Sequence, residues 1–305
     1  MQLGSPHFAV LMDSINSPSK AFLLKTSLTM GKWYDKLYLS CMISFNFYIQ
    51  ITGPYSQAHR KYIAGMAKKA IQAKPTEFHR LLRILDDCGL LKRLYSQNID
   101  GLEAKVGFDT FATDNTRKCV LLHGNLATLR CDRCTCLYML ENYLSFLECG
   151  ESIHCPECIQ RREQDNALGK RLRAPGHLRP NILLYNSPCT EEEEIADLAM
   201  KDIRSLHESH VLLIGGTSLQ IPGIKLIIQT FKDAMFKKNL LGCEIIYVDI
   251  TSNSPSVLPE SMFHVQMDCQ KFATKAISKL QHHISDENEQ SDKNRRDFRP
   301  FWDWN

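Results

Sequence analysis

Val211-Leu212-Leu213-Ile214-Gly215-Gly216-Thr217-Ser218 is a hydrophobic run that stops on two glycines and two hydroxyl residues. A short apolar run bounded by glycine reads as a buried strand. After it, Ile224, Ile227, Ile228, Phe231 and Met235 recur at helical spacing, and residues 244–249 form a second apolar strand. Strand, helix, strand in that order is what a parallel sheet with crossover helices looks like. Upstream, residues 190–194 place a cap and four carboxylates in a helix's first turn, where they favour the positive end of its dipole. Ile195, Leu198, Ile203 and Leu206 make the apolar face of that helix. Phe78, Leu81, Leu82 and Leu85 form another stripe, with Gly89 placed to end its helix. Further strands are expected at 90–96, 119–122 and 181–185, and a last helix carries Ala273, Ala276, Ile277 and Leu280. The fold class is therefore α/β, with a Rossmann-like parallel sheet.

Two Cys-x-x-Cys pairs interrupt that pattern, Cys131/Cys134 and Cys155/Cys158. Four thiolates in two short chelate loops match a tetrahedral structural zinc site, which needs a tight turn in each pair and tolerates a longer excursion between them. Such a site is closed, so chemistry belongs beside the metal rather than on it. Cys136 and Cys149 lie in the same stretch and compete as ligands, though neither completes a further Cys-x-x-Cys. Core-type segments resume on both sides, so the zinc ribbon reads as an insertion. The expected units are a divergent or truncated front at 1–58, a helical and Rossmann-like part at 59–125, a zinc-binding small domain at 126–177, the second Rossmann-like part at 178–282, and a disordered tail at 283–305.

The 305 residues are 44% hydrophobic, ample for one large core and a smaller appendage. A formal charge of +3 gives no case for nucleic acid as the main partner. The basic zone of Arg161, Arg162, Lys170, Arg171, Arg173 and Arg179 lacks interleaved aromatics. No signal-peptide pattern opens the chain, and unpaired-looking cysteines suit a reducing compartment. Residues 37–58 carry no charge, but Asn46, Gln50, Gly53, Pro54 and Gln57 interrupt them, against a membrane span. The terminal run 298–304 reads as an inert tail or a docking segment.

Several polar turns sit at strand ends, where open parallel sheets bind ligands. Gly216, Thr217 and Ser218 can bring amides and hydroxyls to an anionic or sugar group, or form a plain strand-to-helix turn. Asp249 can accept from ribose hydroxyls, or serve as a solvated loop acid capping Thr251 or Ser252. Gln97, Asn98 and Asp100 can hold a carboxamide and sugar hydroxyls, or make an ordinary turn with Gly101. His123 can take a proton from a sugar hydroxyl, or be structural.

In combination these pieces resemble the sirtuin family of NAD-dependent protein deacylases. Ala73-Lys74-Pro75-Thr76 with Phe78-His79, the run from Tyr95 to Glu103, Cys119 to Gly124, the four cysteines, Leu178-Arg179-Pro180-Asn181, Gly216-Thr217-Ser218-Leu219 and Asp268-Cys269-Gln270 occur in family order. The resemblance covers residues 60–282, and its details look most like the fungal nuclear branch that acts on histones. It implies NAD and structural zinc as cofactors, an acetyl-lysine protein such as a histone as substrate, and a nuclear location. It assigns His123 as general base, and Gln97, Asn98 and Asp100 to the nicotinamide and its ribose. Gly216, Thr217 and Ser218 resemble the ribose-binding turn, and Cys269 a position near adenine. In the family reaction the acyl-lysine oxygen attacks the nicotinamide ribose, nicotinamide leaves, and the acyl group ends on ADP-ribose. A sheet edge beside the zinc domain resembles the place where substrate peptide adds as a strand, although Asn186-Ser187 replaces the usual Gly-Glu.

The front departs from the family. Sirtuins open with a buried strand, a Gly-Ala-Gly-type loop around the diphosphate and an Ile-Pro-Asp-Phe-Arg segment, whereas the first thirty-one residues here hold only Gly4 and Gly31. A central sheet lacking its first strand, and weak NAD binding, are the expectations. They leave a truncated product, an impaired interaction protein, or a partner that completes the site.

Overall fold

The computed structural model describes residues 7–12, 57–110, 117–182, 190–206, 210–219, 221–237, 244–252, 255–259 and 262–290. In chain order the elements are β1 (His7–Met12), α1 (Gln57–Gln72), α2 (Glu77–Asp87), β2 (Leu91–Ser96), the short α3 (Leu102–Lys105), β3 (Cys119–Leu121), β4 (Gly124–Cys131) and β5 (Leu137–Met139). They continue with α4 (Leu144–Cys149), α5 (Pro156–Ala167), β6 (Leu178–Ile182), α6 (Thr190–Arg204), β7 (His210–Gly215), α7 (Pro222–Lys237), β8 (Glu244–Asp249), β9 (Phe263–Gln266) and α8 (Cys269–Gln290). Among the described residues these strands make a six-stranded sheet, β3-β2-β1-β7-β8-β9, and a three-stranded one, β5-β4-β6. The larger sheet is parallel at every pairing, and the smaller is antiparallel.

Strand β7 shows why the apolar run decides the fold. Its six residues are all buried, and alternate side chains enter opposite cores, as a period of two requires. Val211 and Leu213 join Phe78, Leu81, Leu82, Phe272 and Ala276 from α2 and α8. Leu212 and Ile214 join Leu198 and Ile203 from α6 and Ile224, Ile228 and Phe231 from α7. Helices cover both faces, so the strand has no polar side. A third core, built from Ile63, Ala64 and Ala67 of α1, Leu129 of β4, Leu147 of α4 and Cys131 and Cys155, holds the metal-type module together.

Helix α2 begins and ends by local chemistry. The His79 Nδ1 accepts the Thr76 N–H at 3.3 Å and lies 2.8 Å from the Thr76 hydroxyl, a reciprocal cap in which histidine stands where Glu or Gln is usual. Gly89, with φ of 69°, closes the far end, while Leu90 N–H reaches back to the Leu85 carbonyl at 2.8 Å.

Three expectations are corrected. The first strand is present: His7–Met12 lies between β2 and β7, in parallel register with both. An extended six-residue segment offers backbone donors and acceptors on both sides, which the centre of a sheet requires. The strand expected at 181–185 begins earlier, at Leu178, is described as far as Ile182 (183–185 lie outside the described residues), and joins β4 in the antiparallel sheet, with Arg130 opposite Arg179 and Cys131 opposite Leu178. The polar segment from Ser285, expected to be disordered, continues α8 as far as Gln290. The glycine-loop region of the family, nearly all of the uncharged stretch, Asn186-Ser187 and the terminal aromatic run lie outside the described residues. No helix among the described residues is long and apolar enough to cross a membrane.

Candidate functional site

Polar turns collect at the C-terminal ends of β2, β3, β7 and β8. The residues after β2 are tied to the turn after β7: the Gln97 amide donates to the Thr217 hydroxyl oxygen at 2.9 Å, 120 residues away. That oxygen also accepts Leu219 N–H at 3.2 Å, which tightens the turn. Tyr247 of β8 donates its hydroxyl to the Thr217 carbonyl at 3.2 Å. Gln97, Asn98 and Thr217 are buried, whereas Ser218 is exposed at the rim.

Gly216 turns the chain with φ of 64° and donates its N–H to the Val248 carbonyl at 3.1 Å. The Cys269 thiol points at the same carbonyl, 3.6 Å away, and burial, followed by Asp268, pushes it up to about 12. At Gly215 a side-chain carbon would come within 3.3 Å of the Phe78 ring and 3.7 Å of Cys269 Sγ, close enough that the ring would have to give way by a few tenths of an ångström. Gln270 anchors it by accepting the Phe78 N–H at 3.0 Å. Asp249 is 6% exposed, and its carboxylate takes both the N–H and the hydroxyl of Thr251 at 2.7 Å. It is thus the capping acid of the sequence reading, but buried rather than solvated.

Around the β2 end, Asp100 accepts Leu102 N–H at 3.2 Å and so starts α3. Glu103 joins this cluster, although its residue type and spacing assign it no role. It is wholly buried, receives the Ser96 hydroxyl and lies 3.4 Å from the Asn98 amide nitrogen. Burial, then the Asp100 charge, raises it to about 7. His79 is also buried, and burial lowers its pKa against the opposing pull of Asp100.

His123 stands half-buried between β3 and β4, with its Nε2 shielded from solvent. Its position is fixed on both sides. Leu122 N–H donates to the Ser96 carbonyl at 2.7 Å. Gly124, with φ of 72°, passes so close to the Asn181 carbonyl that a side chain would collide with it. Leu126 N–H donates to the Ile99 carbonyl at 2.8 Å, which brings the 97–101 turn and the histidine turn together.

The four predicted cysteines converge. Their sulfur atoms all lie within 4.8 Å of one another, with Cys131 and Cys158 3.7 Å apart and Cys134 and Cys155 3.5 Å apart. Tetrahedral zinc with bonds of about 2.3 Å needs sulfurs about 3.8 Å apart, so the donor set fits that ion. Neither Cys136 nor Cys149 joins the group. Tyr138 of β5 does approach it: its hydroxyl is 3.3 Å from Cys155 Sγ and accepts the Glu157 N–H at 3.3 Å. Burial would push the Cys155 thiol up, but Tyr138 and the Cys158 N–H outweigh it and bring the thiol to about 7. Gly176 is required nearby, because a side-chain carbon there would lie 2.5 Å from Cys131 Sγ.

A sequence model of the Sir2 family matches residues 43–223. The chain belongs to the Sir2 family. This Sir2-family chain is 31% identical over 227 residues to the NAD-dependent histone deacetylase HST3 of Candida albicans, covering 69% of this chain and 46% of that protein. It is 34% identical over 171 residues to the NAD-dependent protein deacetylase hst4 of Schizosaccharomyces pombe, covering 54% and 40%. It therefore spans less than half the length of either relative. Among solved structures, one described as Sir2 bound to acetylated peptide aligns with a TM-score of 0.54 and 19% identity, covering 91% of this chain and 94% of that one. A second, described as a Sir2 homolog-NAD complex, aligns at 0.54 and 18%, covering 75% and 73%. These structures share the fold, an α/β sheet with an attached small module.

Proposed function

We propose that this chain is an NAD-dependent protein-lysine deacetylase that acts in the nucleus on histones or other acetylated proteins and carries a structural zinc ion. The observation that carries the reading is the bond between Gln97 and Thr217, which unites the turn after β2 with the turn after β7 into one polar crevice at the sheet's C-terminal end. The names of the relatives, both NAD-dependent deacetylases, support it.

Gln97, Asn98 and Asp100 would hold the nicotinamide end of NAD, and Gly216, Thr217 and Ser218 a ribose. Asp249, despite its bonds to Thr251, and Cys269 would border the adenosine part. When bound, NAD supplies the ribose carbon that accepts the acetyl-lysine oxygen as nicotinamide leaves. His123 would take the proton from a sugar hydroxyl, since its turn is tied to the 97–101 turn through the Leu126 N–H bond to Ile99. Cys131, Cys134, Cys155 and Cys158 would hold zinc, giving the module rigidity without taking part in the chemistry. The second edge of β6 has no strand beside it among the described residues, and an extended peptide can add there by main-chain hydrogen bonds.

The test is to incubate purified chain with NAD and an acetyl-lysine histone peptide and follow all products by mass spectrometry. Deacetylated peptide, nicotinamide and O-acetyl-ADP-ribose should form in equal amounts. Peptide left intact while the folded protein is saturated with NAD would overturn the reading.

A further inference from the structure

Glu103 occupies a place that a purely structural side chain explains poorly. It is 0% exposed, at the start of a four-residue helix, and its Oε2 has no hydrogen-bond partner among the described residues. A buried carboxylate with one unsatisfied oxygen costs stability, and an apolar residue of similar size would pack there at lower cost. Its other oxygen accepts the Ser96 hydroxyl and faces the Asn98 amide nitrogen at 3.4 Å. Ser96 in turn accepts the Asn98 main-chain N–H at 3.1 Å. Asn98 is thus held from behind at two points, by its backbone and by its side chain.

The chemistry of the group matters to the direction of that hold. Oε1 already acts as an acceptor, taking the Ser96 hydroxyl, so the Asn98 group that faces it at 3.4 Å is the NH2. The carbonyl oxygen of the same planar amide is then turned the other way, as an acceptor suited to a sugar hydroxyl or a carboxamide N–H. A glutamine at 103 carries both a donor and an acceptor and would fix neither orientation.

We propose that Glu103 is a positioning residue that, with Ser96, fixes the Asn98 amide with its carbonyl oxygen presented to the nicotinamide-ribose end of NAD. This inference rests on the reading of the crevice as an NAD site. Glu103 itself touches no substrate; it acts through Asn98, so its loss should matter only where Asn98 matters.

That condition makes a direct experiment. NAD and ADP affinities are measured by calorimetry for the full chain and for Glu103→Ala, Glu103→Gln, Asn98→Ala and the Glu103→Ala/Asn98→Ala pair, with zinc content and thermal melting as folding controls. ADP lacks the nicotinamide ribose. Glu103→Ala should weaken NAD about tenfold, the scale of one lost or misdirected hydrogen bond, and leave ADP within twofold. In the Asn98→Ala background the same change should have little further effect, because the two residues form one unit. The isosteric Glu103→Gln should show the same split, smaller, and answers the question if Glu103→Ala does not fold. Equal loss of NAD and ADP, unchanged NAD binding in both variants, or full additivity with Asn98→Ala would overturn the inference while leaving the NAD reading intact. Failure of the folded parent chain to bind NAD would overturn both.

Discussion

Arg93 and Asp202 meet as a buried two-point ion pair between β2 and α6, with Nε 2.6 Å from Oδ2 and Nη2 3.0 Å from Oδ1. The Tyr95 hydroxyl donates to the same Oδ2 at 2.6 Å, and Arg93 also reaches the Arg117 carbonyl. The carboxylate therefore satisfies two side chains of β2, and the guanidinium fixes the chain entering β3. Such a network links the strand that ends at the polar crevice to the helix that covers it.

Asp202→Ala should destabilise the protein by about 3–5 kcal/mol, because it strands a buried guanidinium and a buried phenol together. Urea unfolding of the zinc-loaded chain reads this directly. A loss below about 1 kcal/mol would mean that water reaches Arg93 and takes over the role of the carboxylate.

Tyr138 bridges the two halves of the cysteine site, since it lies on β5 after the first pair and contacts Cys155 of the second. Cys155→Ser should lose most bound zinc, as one of four thiolates is gone. Tyr138→Phe keeps all four and should retain about one zinc per chain, but release it roughly tenfold faster to a chelator, the scale for groups that orient a ligand. Release rates equal to those of the parent would reduce Tyr138 to a packing residue.

Much of this architecture is legible in the sequence where a signal is local. The β7 run is apolar from Val211 to Ile214 because both faces are covered, and the cysteine pairs announce themselves by spacing. What escapes notice is non-local or unmarked. His7–Met12 carries no glycine cluster after it, so nothing flags it as the sheet's central strand, although its backbone pairs on both sides. Arg93 and Asp202 are 109 residues apart and each reads as an ordinary surface charge. Glu103 ends the family-like run from Tyr95, but only the approach of Ser96 and Asn98 shows that it points inward. The Gly176 requirement depends on the packing of Cys131 across the module, which no spacing rule contains.

His123→Ala should largely abolish acetyl transfer while leaving zinc content and melting close to those of the parent. The metal ligands lie in a separate core, and the main chain on either side of His123 is held by the Leu122 and Leu126 N–H bonds. General-base removal costs roughly 10²–10⁴-fold in rate. Gly124→Ala should weaken activity by another route, since its side chain would enter the Asn181 carbonyl and displace the histidine turn. Loss of fold in His123→Ala, or near-normal product formation, would assign the histidine a structural place instead.

Glu103 also predicts a pH dependence of stability with a definite sign. Its ordinary pKa is 4.5 and its value in the folded chain is about 7, raised first by burial and then by Asp100. Folding thus favours the protonated form, so its contribution is fully present below pH 4.5 and is lost as pH rises through about 7, a change of roughly 3 kcal/mol. Ser96, Asn98 and the Cys119 thiol share this pocket, and Glu103 is among the causes that raise the thiol. His59, lowered to about 4 by burial and Arg60, and His79, lowered by burial, act oppositely, losing their contributions as pH falls below 6.5. The Glu103 effect is therefore read as a difference. Unfolding free energies of the parent and Glu103→Gln, measured from pH 4.5 to 8, should shift in one direction: the parent loses stability relative to the variant as pH rises, and the difference levels off above about pH 8. A constant difference across that range would mean that Glu103 stays in one protonation state throughout, and a gap that grows toward acid would reverse the assigned sign.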